Sequence, residues 1–205
     1  MSTMRVATRE QRYQRSLGDG PRRRSGLVGG GPAGTIQRVM RIAILTTGGT
    51  IEKTYDETDG SLSNVGSVLE VILRGLRLHD LHVRHVRVMS KDSLDMTDQD
   101  REVILSAVRE ALSTDDAVLV VHGTDTLTVT GEHLYSHLPA LKKPVVLSGA
   151  MRPYEFRDTD AYQNVTEALL ACRLLGGGVY VVMHNRVLEF PGVVKDRSRM
   201  TFVQE

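Results

Sequence analysis

Tryptophan is absent from this 205-residue chain, cysteine occurs once, as Cys172, and there are only three phenylalanines and six tyrosines. A single cysteine makes neither an internal disulfide nor a four-cysteine zinc site, which excludes a disulfide framework and leads us to expect a reducing, cytoplasmic setting. So few aromatic rings offer little material for stacking nucleobases. No apolar run approaches the roughly 18 residues that cross a bilayer, so no membrane span is expected. What is present is the balance of a globular protein, 40% hydrophobic and 25% charged. A chain of this size buries about two thirds of its surface on folding and needs no metal or disulfide to hold a core.

The net charge of +1 hides an asymmetry. Residues 1–40 carry eight arginines against Glu10 and Asp19, whereas residues 41–205 hold eighteen basic and twenty-three acidic side chains. The leader has no helical or strand period and ends in Gly29-Gly30-Gly31-Pro32-Ala33-Gly34. Such a segment buries too little apolar surface to offset its ordering entropy, so residues 1–40 are expected to be a disordered basic leader. An arginine-rich, acid-poor leader fits a transit peptide or a nucleic-acid arm. We favour a dispensable extension or a start placed too early, because Met40 directly precedes the first strand, and we expect no nucleic-acid partner.

From Arg41 onward apolar strands alternate with helical patterns, the signature of a parallel sheet built from βαβ units. Strands are expected at 42–45, 81–89, 117–121, 145–147 and 179–183. Val68, Leu69, Ile72, Leu73 and Leu76 recur at helical spacing. Thr97 and Asp100 form a capping box for a helix with core face Val103, Ile104, Ala107, Val108 and Leu112. A short helix is expected near 130–138, and another capped near Asp160 with Val165, Ala168, Leu169 and Cys172 inward. The fold class is therefore α/β, a mostly parallel sheet flanked by helices in a flavodoxin- or Rossmann-like three-layer architecture.

In open α/β sheets ligands bind beyond the carboxyl ends of the strands. Four such junctions are polar and rich in small residues: Thr46–Thr50, Ser90–Ser93, His122–Thr126 and Ser148–Arg152. Neither glycine-rich nucleotide motif is present in the first. Threonines at two junctions, beside Asp125 and close in sequence to Lys143, point to nucleophilic catalysis, since a hydroxyl becomes nucleophilic when a neighbouring base takes its proton. Lys143, at the start of the fourth strand, is expected to point along the pocket floor. His133 and His137 stand i, i+4, but the stretch between them lacks the glutamate of a zincin helix, and His79, His82 and His85 straddle a loop and a strand. These are read as surface histidines, so no metal is expected; Cys172 is read as core.

These junctions resemble the bacterial-type L-asparaginases (the asparaginase/glutaminase family). Ile44–Asp56, ILTTGGTIEKTYD, is similar to that family's first active-site signature, Val120–Leu127, VVHGTDTL, to its second, and Lys143–Pro153, KPVVLSGAMRP, to the strand and turn that follow. The resemblance spans roughly residues 41–205, the expected catalytic domain. It implies that Thr50 is the nucleophile, with Tyr55 its partner in a mobile loop. Thr124, Asp125 and Lys143 would form a second cluster in which Thr124 positions the attacked water or carbonyl, Lys143 tunes it and Asp125 holds the substrate α-ammonium. Ser93 would bind the α-carboxylate, and Gly49 and Gly123 would let backbone N–H groups approach the substrate. The implied reaction is hydrolysis of L-asparagine to aspartate and ammonia through a threonine acyl-enzyme, without cofactor; the alternative is a non-catalytic amino-acid-binding module on the same scaffold.

Three features depart from the family pattern. Leu94 follows Ser93 where many members carry a polar residue, Tyr55 lies only five residues past Thr50, and Glu205 falls about where the family's first domain finishes. A short-chain form lacking the smaller second domain is therefore expected, closing its site as a homo-oligomer, a dimer or tetramer.

Overall fold

The computed structural model describes residues 38–55, 62–63 and 68–205. The expectation of a disordered leader concerns residues that lie, up to position 37, outside this set. In chain order the elements are β1 (Met40–Thr46), β2 (Thr54–Tyr55), β3 (Leu62–Ser63), α1 (Val68–Gly75), β4 (Leu81–Arg87), α2 (Asp98–Thr114), β5 (Ala117–Val121), α3 (Leu127–His137), β6 (Pro144–Ser148), α4 (Ala161–Leu174), β7 (Gly178–Met183), β8 (Arg186–Glu189), β9 (Val193–Asp196) and β10 (Thr201–Gln204). Short 3₁₀ turns occupy Thr50–Glu52 and Ser93–Asp95. No helix among the described residues is long and apolar enough to cross a membrane.

Six strands form one sheet in the order β4-β1-β5-β6-β7-β8. The first five run parallel, and β8 pairs antiparallel on β7 as an edge. The strands are apolar at successive positions because both faces are covered. Ala43 and Leu45 of β1 face a layer containing Ile104, Leu105 and Val108 of α2 and Leu134 of α3. Ile42 and Ile44 face Leu69 and Ile72 of α1 and Val165, Ala168 and Leu169 of α4. That alternation gives the expected three layers.

The capping box is present: Asp100 N–H donates to Thr97 Oγ1 and Thr97 N–H to Asp100 Oδ2. The buried face of α2 is rotated from the expected one, for Val103 is 44% exposed while Arg101, Leu105 and Ala111 are buried. A single valine beside Ile104 carries too little phase information to place it. The inward residues expected of α4, Val165, Ala168, Leu169 and Cys172, are all buried.

Topology decides where a site can form. From β1 the chain crosses to β4 on one side, then returns past β1 to add β5 on the other. The carboxyl ends of β1 and β5 thus flank the switch point where open α/β sheets hold ligands. After β8 the chain turns at Pro191-Gly192 into an antiparallel hairpin, β9 with β10, seated through Val193 and Phe202, both 2% exposed.

Candidate active site

The turn after β1 and the turn after β5 are packed backbone to backbone. Thr47 sends both its N–H and its hydroxyl to the Val121 carbonyl, each at 3.1 Å. Gly49 has φ 92°, and a Cβ there would lie 2.5 Å from Gly123 Cα. Only glycine permits both the positive φ and this approach. The chain then enters the 3₁₀ turn that begins at Thr50, which is half-buried beside the β5 turn.

Ser93 arrives from the turn after β4. Asp92 caps that turn by accepting from Leu94 N–H at 3.1 Å, and Ser93 itself is buried. Its hydroxyl is pressed against Gly123, where an added Cβ would sit 2.6 Å from Ser93 Oγ. Thr126 Oγ1 donates to the Ser93 carbonyl at 2.7 Å, so the turns after β4 and β5 are also joined.

His122 braces the β5 turn from below. Its Nδ1 lies 2.8 Å from the Gly123 carbonyl and its Nε2 2.9 Å from Thr130 Oγ1. Because a carbonyl only accepts, Nδ1 carries the proton and Nε2 accepts from the threonine. Burial disfavours the charged ring and lowers its pKa to about 4, despite the Gly123 carbonyl.

The β5 turn carries Thr124 and Asp125, and a lysine meets them both. Lys195 Nζ, from β9, lies 2.9 Å from Thr124 Oγ1 and 2.9 Å from Asp125 Oδ1. The Lys195 side chain is only 10% exposed. Arg197 adds a second cation 3.3 Å from the same Asp125 oxygen, at a solvent-exposed position. Behind the hairpin, Asp160 accepts from Met151 N–H, Arg152 N–H, Asn164 Nδ2 and His184 Nε2. Burial would raise the Asp160 carboxyl, but these hydrogen bonds outweigh it and hold its pKa below that of an ordinary aspartate. His184 Nδ1 meets Thr201 Oγ1 at 3.2 Å, which links the turn after β6 to β10, the partner strand of β9.

Lys143, expected on the pocket floor, lies elsewhere. It precedes β6 at the amino edge of the sheet, and its Nζ donates to the carbonyls of Leu112 and Asp115, each at 2.7 Å. A five-residue strand separates it from the carboxyl edge by roughly 16 Å. It closes the end of α2, while Lys195 occupies the place expected for it. Sequence reading passed over Lys195 because it stands 70 positions from Asp125; the signal available was a Val-Val-Lys strand after a Pro-Gly turn.

Thr50, Ser93, Thr124, Asp125, Gly49 and Gly123 are thus gathered at one edge. Tyr55 lies on β2, 57% exposed, its N–H donating to Glu155 Oε2 at 2.8 Å. Glu52, two residues past Thr50, also escaped the sequence reading; it is buried with Oε1 unpartnered, and burial raises its pKa against the pull of Arg87. Of the rival histidines, His85 Nε2 meets Thr46 Oγ1 at 3.0 Å, and His79, His82 and His85 form no ligand cluster among the described residues.

A threonine hydroxyl, a hydroxyl–lysine–carboxylate group and close backbone N–H groups at one sheet edge are the kinds of group that acyl transfer uses. Comparison with known proteins places the chain in a family. The family described as Asparaginase, N-terminal matches residues 41–201. The chain is 31% identical over 151 residues to an L-asparaginase of Thermococcus kodakarensis, covering 73% of this chain and 45% of that protein. It is 31% identical over 174 residues to L-asparaginase 2 of Escherichia coli, covering 82% and 50%. It is also 28% identical over 151 residues to a glutamyl-tRNA(Gln) amidotransferase subunit of Methanococcus vannielii, covering 73% and 35%. Among solved structures, the thermostable L-asparaginase from Thermococcus kodakarensis superposes with a TM-score of 0.74 at 29% identity, covering 80% of this chain and 51% of that one. The chain therefore spans about half the length or less of these relatives.

Proposed function

The chain belongs to the asparaginase family, and from that premise we propose that it is an amidohydrolase that cleaves the side-chain amide of L-asparagine. The observation that carries the proposal is the meeting of Lys195 with Thr124 Oγ1 and Asp125 Oδ1 beside the Gly49-Thr50 turn. In the reaction proposed, Thr50 Oγ attacks the amide carbon and the amide nitrogen leaves as ammonia with a transferred proton. Water then hydrolyses the ester: its oxygen goes to the released aspartate and one of its protons restores the Thr50 hydroxyl. In the proposed scheme the neutral form of Lys195 takes the Thr124 hydroxyl proton and later gives it back, so that the Thr124 oxygen in turn accepts a proton from water. N–H groups at Gly49 and Gly123 are the proposed donors to the developing oxyanion.

Ser93 and Asp125 are the proposed partners of the substrate α-carboxylate and α-ammonium. Tyr55 is assigned to the Thr50 side of the site on the resemblance, and its exposure suits a residue that moves onto substrate. No cofactor enters the scheme. The single cysteine, buried and unpaired, supports a reducing, cytoplasmic setting. A second reading comes from the amidotransferase relatives: the same amide chemistry would serve to supply ammonia to another reaction.

Ammonia release from purified protein across L-asparagine, L-glutamine and their D forms tests the proposal. Turnover of L-asparagine that disappears in Thr50→Ala supports it. Saturable asparagine binding with no ammonia in the native chain would instead support a binding module. Efficient use of glutamine with neglect of asparagine would favour the second reading.

A further inference from the structure

Away from this edge, α2 and α3 pack side by side and bring together three side chains of a different chemistry. One nitrogen from each of His133 and His137 and one carboxylate oxygen of Glu102 lie within 4.8 Å of one another. The two imidazoles share a helix face at i, i+4 with ring centroids 4.3 Å apart. Their third member comes from the neighbouring helix, which is why the missing glutamate in the His133–His137 stretch did not reveal it.

We propose that Glu102, His133 and His137 form a divalent transition-metal site, suited to zinc, that cross-links α2 to α3. Two imidazoles and a carboxylate are the donor set zinc accepts, with a fourth position left to water. His137 is already oriented as a ligand, because its Nδ1 lies 2.8 Å from the His133 carbonyl, so the proton resides there and Nε2 keeps its lone pair. An outer partner of this kind fixes the tautomer of metal-binding histidines. His133 Nε2 lies 3.0 Å from Glu102 Oε1, yet the two are misaligned for a hydrogen bond and the nitrogen is sealed from solvent. A cation between them would satisfy both atoms. Donors around a tetrahedral zinc ion stand roughly 3.3 Å apart, given bonds of about 2.0–2.1 Å. The Glu102 side chain is 48% exposed, so rotation about its own bonds closes the difference.

The ion would join the two helices that follow the Ser93 and Thr124–Asp125 turns, holding the scaffold of the site without touching its chemistry. Full-length protein stripped with chelator and titrated with zinc sulfate by calorimetry, and with cobalt(II) by visible absorption, tests the proposal. One zinc per chain is expected, with cobalt giving the bands of a low-coordinate nitrogen–oxygen site. His137→Ala and Glu102→Gln, both at exposed positions, should each weaken binding by about tenfold or more. Zinc should raise the melting temperature of the native chain and leave the double variant His133→Ala/His137→Ala unmoved. His82→Ala should bind as the native chain does. Absence of saturable binding, or an affinity that Glu102→Gln and His137→Ala leave unchanged, would overturn the proposal; the second result would place the ion elsewhere.

Discussion

At the scale of single residues, two lysines divide the proposed chemistry from the architecture. Lys195 Nζ is shared between Thr124 and Asp125, whereas Lys143 Nζ is consumed by two backbone carbonyls at the far edge of the sheet. We therefore predict that Lys195→Met lowers kcat by about 10²–10⁴, the range of a lost proton-transfer group, with an unchanged circular dichroism spectrum. Thr124→Val combined with Lys195→Met should cost little more than the worse single variant, because the two act as one unit. Losses that multiply would show that they work independently. Lys143→Met should leave kcat intact and reduce stability by about 1–3 kcal/mol, since two carbonyls lose their donor. A urea melt beside a rate assay distinguishes the two lysines. That Thr50, Ser93, Thr124 and Asp125 share one edge was legible in sequence because each lies within a few residues of a strand end, where chain direction alone says which edge it occupies. Lys195 was not, because its place depends on a hairpin folding back across the sheet edge, a contact no local pattern encodes.

At the scale of elements, β5 and α3 are joined by a buried histidine that must remain neutral. His122 in the folded protein titrates at about 4 against an ordinary 6.5, chiefly because burial disfavours the cation. The unfolded chain therefore binds a proton between those values that the native chain refuses, so stability rises with pH there. The contribution is fully present above 6.5 and is lost as pH falls toward 4. The shift corresponds to roughly 3 kcal/mol. Unfolding free energy measured by denaturant at several pH values should fall across this window in the native chain, and less steeply in His122→Asn, which has no proton to gain. Equal slopes would show that other groups govern the acid limb. The parallel core strands and α4 were readable from apolar runs and helical spacing, whereas β8, β9 and β10 were not, being short and half-exposed. Their places are set by tertiary contacts: Phe190 and Val193 against the sheet, and Gly192 N–H on Glu132 Oε1 of α3 at 2.7 Å.

At the scale of the whole molecule, three apolar side chains stand exposed on segments that flank the candidate site. Tyr55 on β2, Leu94 after β4 and Phe156 after β6 are 57%, 66% and 45% exposed, and Tyr55 is tied by its backbone to Glu155, the neighbour of Phe156. Leu94, unexplained by any partner of Ser93 in the sequence, takes on meaning as part of this surface. Acyl transfer gains most from fixed dipoles where water is excluded. Covering these side chains would remove apolar area from water at about 25 cal/mol per Å² and dry the site in the same step. We predict that a second copy of the chain provides the cover in a symmetric dimer or a dimer of dimers, the commonest closed assemblies. Light scattering across a dilution series should then show dissociation, and specific activity should fall along the same curve. Leu94→Asp should shift both curves to higher protein concentration together. A monomer fully active at every dilution would show that the site completes itself within one chain.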